Sequence, residues 1–173
     1  EDIDAIIDLA ERLKDYMETR GSKGTLTLSV NPFIPKPFTP FQWEPMADRK
    51  TVEKRLKRLE KTLRRRKHVV VNIESPKEAY IQGVLSRGDR RVGEALMRAH
   101  ELGGSKAFKR ALKELHLDPA FYLYRKRPES ELFPWERLDM GFKKAYLYEE
   151  LKRAEALKPT IPCFEGCHRC GVC

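Results

Sequence analysis

Thr25-Leu26-Thr27-Leu28-Ser29-Val30, the basic run from Arg49 to Lys67, and His68-Val69-Val70-Val71-Asn72-Ile73-Glu74 decide the fold. The first segment alternates hydroxyl and apolar side chains and reads as a strand. The middle one places Val52, Leu56, Leu59 and Leu63 at i, i+4, i+7 and i+11, a single stripe along a helix. The third is an apolar run continuous enough to predict a strand buried on both faces. Strand, helix, strand is a βαβ unit, expected to be parallel and right-handed. Two strands do not make an independent parallel sheet, so its neighbours are expected from outside these residues or from another chain.

Ahead of this unit, residues 2–20 read as a helix burying Ile3, Ile6, Ile7, Ala10, Leu13 and Met17, with Gly21 and Gly24 after its end. Inside the unit lies Asn31-Pro32-Phe33-Ile34-Pro35-Lys36-Pro37-Phe38-Thr39-Pro40-Phe41-Gln42-Trp43. Its four prolines remove backbone donors and fix φ, which predicts a stiff loop carrying four aromatics. Beyond Glu74 the pattern is helical only. Ser75-Pro76-Lys77-Glu78 has the form of a capping box. Val92, Ala95, Leu96, Ala99 and Leu102 mark the next helix, closed by Gly103-Gly104. Ser105 is placed to cap a third helix with Phe108, Ala111, Leu112 and Leu115 on its apolar face. Asp118-Pro119 opens a short turn of helix, and a last helix is expected from 139 to 157. The expected organisation is 1–74, a sheet-bearing part; 75–158, a helical extension; and 159–173, a cysteine-rich tail.

No stretch approaches the roughly 20 apolar residues that cross a bilayer, so no membrane partner is expected. The acidic start Glu1-Asp2-Ile3-Asp4 lacks the order of a secretory signal, which predicts a cytoplasmic protein. A chain opening inside a helical pattern without Met is expected to be a piece of something longer. Between Arg49 and Lys67 stand eleven Lys or Arg against Glu53 and Glu60, a surplus of nine that equals the net charge of the whole chain. These cations coat the outer faces of the helix. They form either a solvated surface or one that tracks phosphate, in RNA or in a phosphorylated cofactor.

All four cysteines fall in the last eleven residues, at Cys163, Cys167, Cys170 and Cys173. Disulfides are disfavoured in a cytosolic chain, and thiolates at this density suit zinc or an iron–sulfur cluster. Structural zinc usually takes two separated Cys-x-x-Cys knuckles. One dense run is closer to ferredoxin spacing, so a cluster of the 4Fe-4S type is expected, with zinc as the alternative. Gly166 and Gly171 would let the backbone approach it. His168 reads as a solvent-facing filler or as a substitute for one ligand.

Three segments carry a resemblance. Residues 29–43 resemble the "SxFxPKPxTPFQW" stretch of radical S-adenosylmethionine (SAM) enzymes. Ser86-Arg87-Gly88-Asp89-Arg90-Arg91 is similar to the "SRGDRR" segment of a branch whose members often carry an N-terminal cobalamin-binding domain. Cys167 to Cys173 resembles that branch's "C..CGVC" tail. The order is the family's, and the likeness covers 25–173. It implies an α/β fold: the last part of a partial (β/α) radical SAM barrel within 1–74, then an all-helical C-terminal extension and a metal-binding tail. The SAM-binding cluster of such enzymes sits on a C-x3-C-x2-C loop ahead of the barrel, which this sequence lacks. Cys163, Cys167 and Cys170 match that spacing, but no barrel strands follow them. The tail is therefore read as an auxiliary iron–sulfur centre, and the isolated portion as catalytically silent.

The resemblance further implies SAM in the full enzyme, leaves cobalamin open, and makes the remainder of the barrel the expected partner. In barrels, functional groups follow the carboxyl ends of strands, which puts Asn31, Phe33 and Lys36 where cofactor or substrate would lie. Arg87, Arg90 and Arg91 either bind a carboxylate or phosphate of SAM or substrate, or pair with nearby carboxylates while Asp89 caps the following helix. No residue is assigned to catalysis. The alternative from another class is a zinc-stabilised RNA-binding module using residues 49–67.

Overall fold

The computed structural model describes residues 1–172 and is a mixed α/β structure, mostly helical, with one small parallel sheet. Its residues form two compact units, Glu1–Phe33 with Ala47–Tyr80, and Ile34–Met46 with Ile81 onward. The Pro-rich loop from residue 34 thus belongs with the helices that follow rather than with the strands that flank it.

The first unit contains α1 (Asp2–Thr19), β1 (Leu26–Val30), α2 (Arg49–Leu63) and β2 (Val69–Ile73). The strands pair in parallel, Leu26 opposite Val69 through Val30 opposite Ile73. Asp48 caps α2 by accepting the Thr51 backbone N–H at 3.0 Å. The α2 stripe is buried as its spacing requires, and Leu59 and Leu63 join Ala10 in a core that also gathers Ile3, Ile6, Ile7, Leu26, Leu28, Val30, Val69 and Val71.

Two expectations need correction here. The valine run is not buried on both faces: Thr27, Ser29, Val70 and Asn72 are exposed, because α1 and α2 join the core on the same sheet face. On α1, Leu13 is exposed and Lys14 takes the inner position, its ammonium donating to Gly24 O at 3.3 Å and lying 3.8 Å from Glu18. A lysine whose charge reaches a carbonyl beyond the helix end can occupy an inward position that an apolar pattern does not reveal.

The helix α3 (Pro76–Arg87) leads into the second unit, which continues with α4 (Arg90–Glu101), α5 (Phe108–Glu114), α6 (Pro119–Leu123) and α7 (Lys144–Glu155). Between α3 and α4, a Cβ on Gly88 would stand 2.8 Å from Val84 O and 2.6 Å from a Val92 methyl, so only glycine permits this turn. Ser105 does not cap α5; it begins a 3-10 turn (Ser105–Ala107), and Ala107 stands at the cap position. The last helix starts at Lys144 rather than at residue 139. Asp139 instead accepts the Gly141 N–H at 2.8 Å in a turn.

Trp43, from the Pro-rich loop, is fully buried with Phe133, Trp135, Leu147 and Leu151. Phe133 stacks on Trp135 at 4.7 Å, and Trp43 meets Phe133 and Tyr148 edge-on at 5.6 and 5.1 Å. Gln42 secures this cluster, accepting both the Phe38 backbone N–H (3.1 Å) and the Trp135 indole N–H (2.8 Å) through Oε1. The loop aromatics therefore divide. Phe38 and Trp43 pack within the second unit, while Phe33 and Phe41 are exposed.

Candidate metal centre

After α7 the chain has no regular secondary structure as far as Cys163 and then turns back, so that Arg169 reaches Ile161 and Pro162. The Cys167 N–H donates to Phe164 O at 3.0 Å, forming a turn through Glu165 and Gly166. Arg169 closes the loop: its Nη2 donates to the carbonyls of Ile161 (2.8 Å) and Pro162 (3.0 Å), while its Nε donates to Cys167 Sγ at 3.1 Å. That charge-assisted bond pushes the Cys167 thiol down to about 7. Cys167 is buried, Cys170 half-buried and Cys163 exposed.

The loop is docked on the residues before α7. The Lys143 N–H donates to Cys170 O at 2.8 Å, and its ammonium donates to His168 O at 3.0 Å. Gly171 lies so close that an added Cβ would stand 2.8 Å from Gly141 O, and its φ is +93°, in the region that disfavours other residues. The tail is thus a folded loop with defined partners.

The donor set fits a thiolate-bound metal: three thiols within eight residues, one of them shifted toward the thiolate by its bond from Arg169. Among the described residues no three His, Cys, Asp or Glu side chains converge as a metal site. The expected fourth ligand, Cys173, lies outside the described residues. His168 is exposed.

The other expected site residues are divided between the two units. Asn31 and Phe33 follow β1 and are exposed in the first unit, whereas Lys36 belongs to the second and donates to Gln82 Oε1 at 2.8 Å. Arg87 is fully buried, donating from Nε to Tyr122 O (2.8 Å) and from Nη1 to Glu44 O (2.9 Å). Burial, with Arg127 nearby, lowers it to about 10. Asp89 caps α4 through the Arg91 N–H and accepts Arg91 Nη2 at 2.6 Å, which holds its carboxyl below the ordinary range. Arg90 and Arg91 are exposed and line an open recess with Asp89, Phe133, Glu136 and Arg137.

Sequence reasoning missed Arg137, the loop-closing role of Arg169 and the docking role of Lys143. Only Arg169 left a local signal, a guanidinium two residues from a cysteine. No family model, curated protein or solved structure matches this chain.

Proposed function

We propose that this chain is the C-terminal portion of a radical SAM iron–sulfur enzyme and that its tail holds an auxiliary cluster through Cys163, Cys167, Cys170 and Cys173. The observation that carries the reading is the folded thiol loop. Arg169 ties it shut, and Lys143 and Gly171 dock it. A dense cysteine run ordered by backbone contacts suits a cluster, whose sulfides take N–H donors, better than two separate zinc knuckles. When bound, such a cluster supplies an electron-transfer station or a structural anchor. Arg169 and Lys143 hold the loop that presents the thiols.

Two further features support the barrel part of the reading. The two-stranded parallel sheet is smaller than parallel sheets usually are, so its outer edges suit further strands of the same or another chain, and its exposed face suits a covering layer. The segments 29–43 and 86–91 carry the resemblance to the family. SAM, and cobalamin if used, belong to the full enzyme; Asn31, Phe33, Lys36, Arg90 and Arg91 remain its candidate contacts here. Among the described residues no helix is long and apolar enough to cross a membrane; a cytoplasmic location is part of the proposal.

Anaerobic reconstitution with iron and sulfide tests the reading. A brown protein holding iron and acid-labile sulfide in equal amounts is expected. A colourless protein holding zinc and no sulfide would overturn it in favour of a zinc-stabilised module.

A further inference from the structure

The fold gives the eleven cations between Arg49 and Lys67 unequal surroundings. Arg49 pairs with Glu53 at 2.7 Å. Arg58 reaches Asp4, and Arg66 reaches Asp15 and Glu18, all three carboxylates on α1. Lys50, Lys54, Arg55, Lys57, Lys61, Arg64, Arg65 and Lys67 are exposed and form no ion pair among the described residues.

Helical geometry sorts this second group. At about 100° per residue, Lys50, Lys54, Lys57, Lys61 and Arg64 fall within an arc of about 80°, centred roughly 150° from the buried stripe. Arg64 belongs to the row because the C-cap keeps helical φ and ψ, −56° and −22°. Successive members are three or four residues apart, so their Cβ atoms are about 5–6 Å apart. The row runs for about 21 Å. Lys57, Lys61, Arg64 and Arg65 share an open recess at its end, with Glu60 as its single acid.

What this face attracts follows from what it lacks. The apolar residues of α2 are already buried, Leu59 and Leu63 in the unit's own core, so the helix has no stripe left to insert into a lipid surface. The attraction it offers is a straight line of unpaired charge. One strand of a nucleic-acid duplex carries a phosphate for every ~3.4 Å of duplex axis, about six over an axial length equal to that of the row. We propose that Lys50, Lys54, Lys57, Lys61 and Arg64 form a surface that tracks the phosphate backbone of RNA or DNA by charge, without reading bases. The row lies in the first unit and the thiols in the second, so the proposal stands apart from the metal reading.

Fluorescence anisotropy on the 173-residue chain tests it, with a labelled RNA hairpin and a DNA duplex of equal length titrated at several salt concentrations. The variant K50Q/K54Q/K57Q/K61Q/R64Q is compared with K23Q/K77Q/K106Q/K113Q/K158Q, which removes the same charge from exposed positions elsewhere. The parent should bind both probes with a log–log salt slope of about −3.5 to −4.5. The row variant should lose on the order of 100-fold in affinity at low salt and most of that slope, the control less than about threefold. K50R/K54R/K57R/K61R should bind within about threefold of the parent, which separates loss of charge from loss of fold. The proposal is overturned if the parent binds neither probe, if row and control variants lose equally, or if the row variant binds like the parent. Tighter binding to phosphatidylserine vesicles than to RNA at the same salt would likewise overturn it, assigning the row to membranes. A preference for RNA over DNA of more than about tenfold would also contradict readout by charge alone.

Discussion

Lys61 on α2 and Arg64 at its C-cap are exposed and form no ion pair among the described residues, whereas Arg87, at the end of α3, is fully buried and bonded to two carbonyls. All three are cations at the ends of helices, and the face on which each stands decides its fate. On α2 every inward position is apolar, so cations stay outside at little cost. Arg87 stands inward, beside Arg127, where burial disfavours its charge, and the carbonyls of Tyr122 and Glu44 hold it there. A cation count is therefore a poor guide to surface charge unless each residue is placed on its face.

The sharpest way to break this contrast is R87L. It removes a charge-assisted donor from two carbonyls, so the second unit should lose about 3 kcal/mol or more. Both tryptophans, Trp43 and Trp135, lie in that unit, so their fluorescence during urea unfolding reports on it alone. A loss below about 0.5 kcal/mol would make Arg87 no different from a solvated arginine. The neutral counterpart is Q42L, which leaves the Phe38 N–H and the Trp135 indole N–H without their shared acceptor. About 1–3 kcal/mol should be lost by the same measurement. An unchanged midpoint would mean that the aromatic cluster holds itself together.

A smaller effect is expected with pH. Hydrogen bonds from Arg91 to Asp89, and from Thr51 to Asp48, lower the carboxyls of these caps below their ordinary value of 3.8. A depressed carboxyl contributes stability above its unfolded value and loses it as pH falls. Melting temperature should therefore drop between about pH 5 and pH 2, with a shallower drop in D89N. Equal slopes in parent and variant would remove Asp89 from the account. The smallest change belongs to R64Q, whose side chain is exposed and makes no ion pair among the described residues; stability should stay within about 0.5 kcal/mol. A larger loss would show that the outer face of α2 contributes to the fold.

Local patterns were legible and distant partners were not. The stripe Val52, Leu56, Leu59, Leu63 and the two strands could be read because periodicity is a property of neighbours. The run Val69-Val70-Val71 misled because composition does not say that α1 and α2 join the core on one side, leaving Val70 exposed. Arg87 could not be read because its acceptors lie 35 and 43 residues away. In the tail, the cysteine spacing pointed to a metal. The contacts that shape the loop, Lys143 to Cys170 O and Gly171 against Gly141, join positions 27 and 30 apart along the chain and leave no motif.

Ligand-by-ligand iron analysis asks whether the thiol loop holds a cluster. Parent, C163S, C167S and C170S are reconstituted anaerobically with iron and sulfide, and both are then quantified per chain. Each serine variant should lose more than about half of the parent's iron and sulfide together, since each removes one thiolate from the proposed ligand set. Far-ultraviolet circular dichroism should stay unchanged, because the tail follows the last helix. If C163S/C167S/C170S keeps the parent's iron, or if the parent holds zinc without sulfide, the loop is not an iron–sulfur site.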